Sequence, residues 1–334
     1  MYKLFAWIKN ARYQSLPQSV FPALAAIVMA WPEESFSLPL SLCALLGVMM
    51  AHLASNLADD YSDYRHNEAL LRSRLSAHPL RKEKCAYLFS GEYRLSQLRR
   101  AMGLFALTAL CLACVIGCYR GLPILCLILL TAFLGWFYSG APLRLSYHGM
   151  GEALIGLIFG PLLMSGVYYS ACGQWSHALL WTSVSVGLLV FNIVYTHAVM
   201  DAETDDGIGK RTLAVVFPQL GVQLFFSFIA NFFPFIWMEI GCCSGLLPFG
   251  YHMVWIAFPM AVVLFYLIVQ HFRHPERTYA PKWWMGPMPV KQWEAIRQLQ
   301  LDAFMLRWFL ARNLTTLFCL LLILVAVCGM LFGA

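Results

Sequence analysis

Long apolar stretches alternate with short polar ones along the whole chain. Stretches near 17–35, 38–57, 101–118, 122–139, 151–170, 178–199, 219–241, 248–271 and 308–331 hold almost no charge. Each is close to the ~20 apolar residues a helix needs to cross the hydrocarbon core. A spanning segment must satisfy its own backbone hydrogen bonds, and a helix does so within itself. The pattern therefore predicts an all-α polytopic membrane bundle of about nine transmembrane helices. It predicts one domain over residues 1–334, with cytoplasmic loops at 58–100, 200–217 and 272–307. Pro22, Pro161, Pro234 and Pro259 fall inside these stretches, where membrane helices tolerate them. No period of 20–50 residues repeats.

Charge turns this count into a topology. With the N-terminus in the cytoplasm, every Lys and Arg except Arg120 falls on a cytoplasmic segment or within about a turn of one. That asymmetry predicts a multi-pass protein of the cell (inner) membrane with an odd number of spans. The net charge of +6 is then a topological signal and calls for no nucleic-acid partner. Composition agrees: the chain is 60% hydrophobic and 12% charged, where soluble proteins carry about 25% charge. The start, MYKLFAWIKNARYQ, lacks the apolar core and cleavage site of a signal peptide. The 11 Cys lie mostly in apolar runs and suggest neither a disulfide framework nor a metal site.

Two polar segments break the pattern. The second stretch ends in Asn56-Leu-Ala-Asp59-Asp60-Tyr-Ser-Asp63. On a continuing helix Asn56, Asp60 and Asp63 share one face, with Asp59 at its border. The sixth stretch ends in His197-Ala-Val-Met-Asp201, followed by Asp205 and Lys210. Asp201 and Asp205 are again one turn apart. Glu203 and Asp206 point off that face and read as solvated, and Glu33 and Glu34 read as a plain loop on the opposite side.

Carboxylates crowded at the mouth of a membrane bundle repel one another and resist desolvation. A cation should neutralise them. Mg²⁺ takes oxygen ligands and commonly shares carboxylates with substrate phosphates. Two clusters on separate helices suggest two metal positions bridging one diphosphate, with Asn56, Asp60, Asp63, Asp201 and Asp205 as ligands. Lys210, Arg72, Arg74 and Arg144 lie in the same layer and could hold the remaining phosphate charge. A charged head above a greasy bundle suits a polyprenyl diphosphate, whose allylic cation aromatic faces can shield. Tyr61, Tyr64, Tyr138 and Tyr195 are the nearby aromatics, and interfacial anchoring is the competing role for each.

These residues resemble the UbiA superfamily of intramembrane prenyltransferases, and NLADDYSDY is similar to its MenA-like branch. The second family motif is met in full by Asp201, Asp205, Gly209, Lys210, Thr212 and Leu213. Tyr138-Ser-Gly-Ala-Pro-Leu-Arg144 resembles the segment whose Tyr and basic residue face the diphosphate. Gly151-Glu152 through Gly160-Pro161 also looks like the branch's fifth helix. The resemblance covers roughly 12–271. It implies a Mg²⁺-dependent enzyme that ionises a polyprenyl diphosphate and transfers the chain to 1,4-dihydroxy-2-naphthoate, in menaquinone biosynthesis. It implies catalytic roles for Asp60, Asp201, Lys210 and Tyr138.

The chain departs from the pattern at His197-Ala198-Val199-Met200, at His78-Pro79, at Leu16-Pro17-Gln18 and in the long segment Tyr279–Arg307. His197 either touches an acidic acceptor or packs at the interface. The amphipathic segment with Trp283, Trp284, Trp293 and Trp308 either covers the cytoplasmic mouth or lies passively on the membrane. The rival functions are prenyl transfer to another aromatic or to a lipid alcohol, and a transporter or channel for an anionic solute with the Asp clusters as cation sites. Transport calls for ionisable groups deep in the spans, where Glu152 and Glu239 are the main exceptions to an apolar interior.

Overall fold

The computed structural model describes residues 2–75, 85–207, 209–274 and 277–332, with side chains described from 5 to 65 and from 85 onward, apart from 204 and 332. Among them every regular element is helical. A short α1 (Tyr2–Asn10) leads into α2 (Pro17–Ala30) and the long α3 (Leu38–Leu75). After α4 (Ala86–Phe89) come α5 (Leu95–Arg120), α6 (Leu122–Ser139), α7 (Gly151–Cys172) and α8 (His177–Met200). Two short helices follow, α9 (Ala202–Gly207) and α10 (Leu213–Val216). The chain closes with α11 (Leu220–Cys243), α12 (Phe249–Arg273), α13 (Trp293–Gln298) and α14 (Asp302–Phe332).

Eight of the described helices are long and apolar enough to cross a membrane. The ninth apolar stretch is α2, whose 14 residues rise only ~21 Å. It can be short because it is an interior helix. Ala23, Ala25, Ala26 and Ala30 are fully buried where it packs on α7 and α14. Arg120 closes the end of the bundle beyond it, donating to the carbonyls of Ser170, Ala171 and Ser35.

Glycine sets the closest helix approach. A Cβ on Gly187 of α8 would meet the Gly156 carbonyl oxygen of α7 at 2.6 Å, and one on Gly156 would meet the Gly187 carbonyl oxygen at 2.8 Å. Small residues four apart let membrane helices approach this way. Just beyond Gly156, residues Ile158–Leu162 form a π-turn that contains Pro161. Such turns re-satisfy the backbone that proline interrupts. Residues of α3, α5, α6 and α7 line a cavity of ≈ 1710 Å³.

Candidate active site

The two Asp-rich segments meet at one end of that cavity, which Asn56, Asp59, Asp60, Asp201, Asp205 and Lys210 all line. α3 carries the first set. Asp60 is buried, with its Oδ2 accepting from the Tyr87 hydroxyl at 2.9 Å. Burial and the neighbouring Asp60 push the Tyr87 phenol up, so it stays a donor. Asp59 accepts from the Ser139 hydroxyl at 2.6 Å. Asn56 donates its amide to the Ala11 carbonyl and the Ser15 hydroxyl at 2.8 and 3.0 Å, which pins the loop before α2 against α3.

That loop delivers a cation the sequence did not single out. The Arg12 guanidinium lies 3.2 Å from Asp60 and 3.4 Å from Asp59, and donates to the Asn56 carbonyl at 2.9 Å. Burial works against its charge, but Asp60 and Asp59 outweigh this and hold its pKa above the ordinary value. Only folding brings Arg12 here. From sequence it is one of several cations ahead of the first span.

The second set is built by a break in a helix. Asp201 caps the C-terminus of α8 with φ −102° and ψ 6°, and α9 resumes with the Asp205 N–H bonded to the Asp201 carbonyl at 2.8 Å. Both carboxylates are buried. The Lys210 N–H bonds the Asp205 carbonyl at 2.9 Å, which turns the chain back over the cavity. Glu152, in the first turn of α7, accepts the Leu213 N–H at 3.0 Å through Oε1. Neither the charge of Glu152 inside a span nor its place in the Gly151–Pro161 resemblance points to this contact. Glu203 and Asp206 are exposed, as their off-face positions implied.

Other predicted residues stand elsewhere. Asp63 is buried and accepts from the Tyr147 hydroxyl at 2.7 Å, and the Arg144 guanidinium stacks on that same ring at 3.9 Å. This Arg144–Tyr147–Asp63 stack stands behind the cavity wall. Tyr138 and Tyr61 line the cavity. Tyr195 does not: it is fully buried and donates to the Gln223 carbonyl at 3.2 Å. Tyr64 packs on Phe89. The side chains of Arg72 and Arg74, together with His78-Pro79, lie outside the described residues.

The donor set fits a hard divalent cation, being carboxylate and amide oxygen. Among the described residues no three His, Cys, Asp or Glu side chains enclose a metal by themselves. Asp60, Asp201 and Asp205 are the lining carboxylates that would hold such an ion. Glu152 Oε2 and the Thr212 hydroxyl are buried on the lining without a hydrogen-bond partner among the described residues, which is costly unless another group answers them. Away from this polar end the lining is mainly apolar, with Ala44, Gly47, Ala109, Ala113, Phe159 and Leu163.

The profile of the UbiA prenyltransferase family matches residues 19–288. A 2-carboxy-1,4-naphthoquinone phytyltransferase from Synechocystis is 31% identical over 46% of this chain, and the match spans about half of that relative, 49%. A 1,4-dihydroxy-2-naphthoate octaprenyltransferase from Mycobacterium leprae is 27% identical, covering 63% of this chain and 68% of the relative. Its counterpart from Escherichia coli is 22% identical, covering 75% and 79%. Among solved structures, a UbiA homologue from Archaeoglobus fulgidus bound to GPP and Mg²⁺ has the same fold, with a TM-score of 0.57 at 16% identity over 93% of this chain and 98% of that one. The paired Asp-rich segments over an apolar cavity, and a family match over most of the sequence, lead to one conclusion: this chain belongs to the UbiA prenyltransferase family.

Proposed function

We propose that this chain transfers a polyprenyl group from a polyprenyl diphosphate to a ring carbon of an aromatic acceptor, with 1,4-dihydroxy-2-naphthoate as the acceptor of first choice. The observation that carries this reading is the convergence of both Asp-rich segments on the polar end of one long apolar cavity. The naphthoate assignment leans on the names of relatives, two of which are dihydroxynaphthoate prenyltransferases.

Asp60, Asp201 and Asp205 would hold Mg²⁺, with Asn56 Oδ1 beside them and Asp63 supporting from behind. Bound Mg²⁺ supplies Lewis-acid stabilisation of the departing diphosphate. Lys210 and Arg12 offer N–H donors to its outer oxygens. The bond between prenyl C1 and the diphosphate oxygen breaks with its electron pair on diphosphate. The Tyr138 ring face steadies the allylic cation left behind. A ring carbon of the acceptor supplies the pair for the new C–C bond. That carbon then loses a proton, or CO₂ where it bore a carboxylate, and the ring is aromatic again. The tail lies among Ala44, Gly47, Ala113 and Leu163, where small side chains leave room and no polar group is stranded. The Lys/Arg distribution supports a site at the cytoplasmic face of the cell (inner) membrane.

Mass spectrometry of products tests the assignment. Purified protein with Mg²⁺, a prenyl diphosphate and a panel of hydroxynaphthoates, hydroxybenzoates and lipid alcohols should yield a prenylated naphthalene product, and EDTA should abolish it. Turnover undiminished in EDTA, or product formed only from a lipid alcohol, would contradict it.

A further inference from the structure

The polar end of the cavity has a wall that the diphosphate layer does not use. It comes from the chain after α12, where Ile296, Leu299, Leu301, Phe304, Met305 and Trp308 line the cavity. These residues lie beyond the last position of the family match, residue 288, whereas Asn56, Asp60, Asp201, Asp205 and Lys210 lie within it. The family match therefore does not reach this wall.

One contact ties the two together. The Phe304 ring meets the His197 imidazole edge to face, with centroids 4.7 Å apart and planes at 80°. His197 precedes Asp201 by four residues on α8, which sets it ~6 Å deeper along the helix axis. Its Nδ1 is 3.5 Å from Asp201 Oδ2, and its side chain is 47% exposed on the cavity wall. Phe304 is itself held: it is 9% exposed and lies one turn from Arg307, whose guanidinium donates to the Leu267 carbonyl at 2.9 Å and the Ala303 carbonyl at 2.7 Å. A fixed aromatic ring and a polar heterocycle thus stand immediately below a carboxylate of the diphosphate layer. The other imidazole on the lining, His52 edge to face on Phe159, is closed by comparison: it is buried and both of its ring nitrogens are bonded, to Ser15 and Ser19.

We propose that this wall is the subsite for the acceptor ring, and that Phe304 is a specificity-determining residue selecting a planar, fused bicyclic aromatic over a single ring. The proposal rests on the prenyl-transfer reading above. A flat ring lying along Phe304 and Trp308 would gain aromatic contact in proportion to its face. Its polar substituents would point towards His197, and a ring carbon would be presented to prenyl C1 beside Asp201. His197 positions the ring edge.

The test uses the full-length protein with Mg²⁺, one prenyl diphosphate, and two acceptors, 1,4-dihydroxy-2-naphthoate and 4-hydroxybenzoate. Phe304→Ala should raise KM for the naphthoate about fivefold to tenfold, the scale of one lost aromatic contact. It should erode the preference for two rings over one and leave KM for the prenyl diphosphate within about twofold. Phe304→Leu, which keeps an apolar side chain and removes only the ring, should behave like Phe304→Ala, and Phe304→Tyr should restore the preference. A Phe304→Ala protein that weakens prenyl-diphosphate binding by calorimetry, or that treats both acceptors as the parent does, would overturn the subsite while leaving the prenyl-transfer reading intact. If the parent protein binds prenyl diphosphate but prenylates no aromatic acceptor, that reading and the subsite fall together.

Discussion

Glu152 and Arg12 do the local ordering on which the polar end depends, and neither belongs to an Asp-rich motif. Glu152 Oε1 satisfies the Leu213 N–H and so fixes the turn that carries Lys210 and Thr212. Replacing it by Ala strands that buried donor, at a cost of about 1–3 kcal/mol. Glu152→Ala should therefore loosen the turn and raise KM for the prenyl diphosphate roughly tenfold or more. Glu152→Gln keeps an acceptor oxygen and should retain most of the affinity. Equal effects from the two variants in steady-state kinetics would show that the charge of Glu152, and not its backbone contact, is what matters. The contrast between motif and support explains what could be read in advance. Asp60 was legible because it shares a helical face with Asn56, Asp201 and Asp205 because they stand one turn apart, and Lys210 because it falls in the second motif of the resemblance. Arg12 and Tyr87 were not, because they reach Asp60 from a loop and a short helix 48 and 27 positions away in the chain. Asp63 shares the helical face of Asp60, yet Tyr147 covers it. Spacing fixes the direction of a side chain and says nothing about what folds over it.

Helix boundaries obey a similar rule. Among the described residues the apolar stretches coincide with the eight helices long enough to span and with the shorter α2, but their ends differ. α14 begins at Asp302 and carries Arg307 fully inside the bundle, because its guanidinium caps carbonyls of α12 and α14 instead of seeking water. α5 likewise begins at Leu95, ahead of Arg99 and Arg100. At the other extreme, α2 stops at Ala30, where the hydrophobic pattern ran on to 35. The contact between α7 and α8 is the element-scale device that aims Glu152 and Asp201 at the same cavity. Gly187 sits against the Gly156 backbone with no room for a side chain. Gly187→Leu should force the helices apart, lower stability by about 1–3 kcal/mol and reduce turnover with it. Thermal unfolding in detergent checks this, and an unchanged Tm would mean that the two helices are not held by that contact.

At the scale of the whole molecule, the bundle keeps its cost and its chemistry at opposite ends of one space. Arg120 and the Ser35 turn close one end on backbone carbonyls. The buried carboxylates crowd the other. Between them α3, α5, α6 and α7 leave a cavity that a packed bundle would have filled. The account requires that the Asp segments of α3 and of the α8–α9 break act on one ligand together. Coupled groups lose less in combination than the sum of their separate losses. The most direct measurement is the binding of a prenyl diphosphate in Mg²⁺, by titration calorimetry, to the parent protein, Asp60→Asn, Asp201→Asn and the double variant. The account predicts that each single change weakens binding about a hundredfold, near 2.7 kcal/mol, and that the double variant is scarcely worse than either. Independent, fully additive losses would mean that the two segments hold separate ligands, and would contradict it.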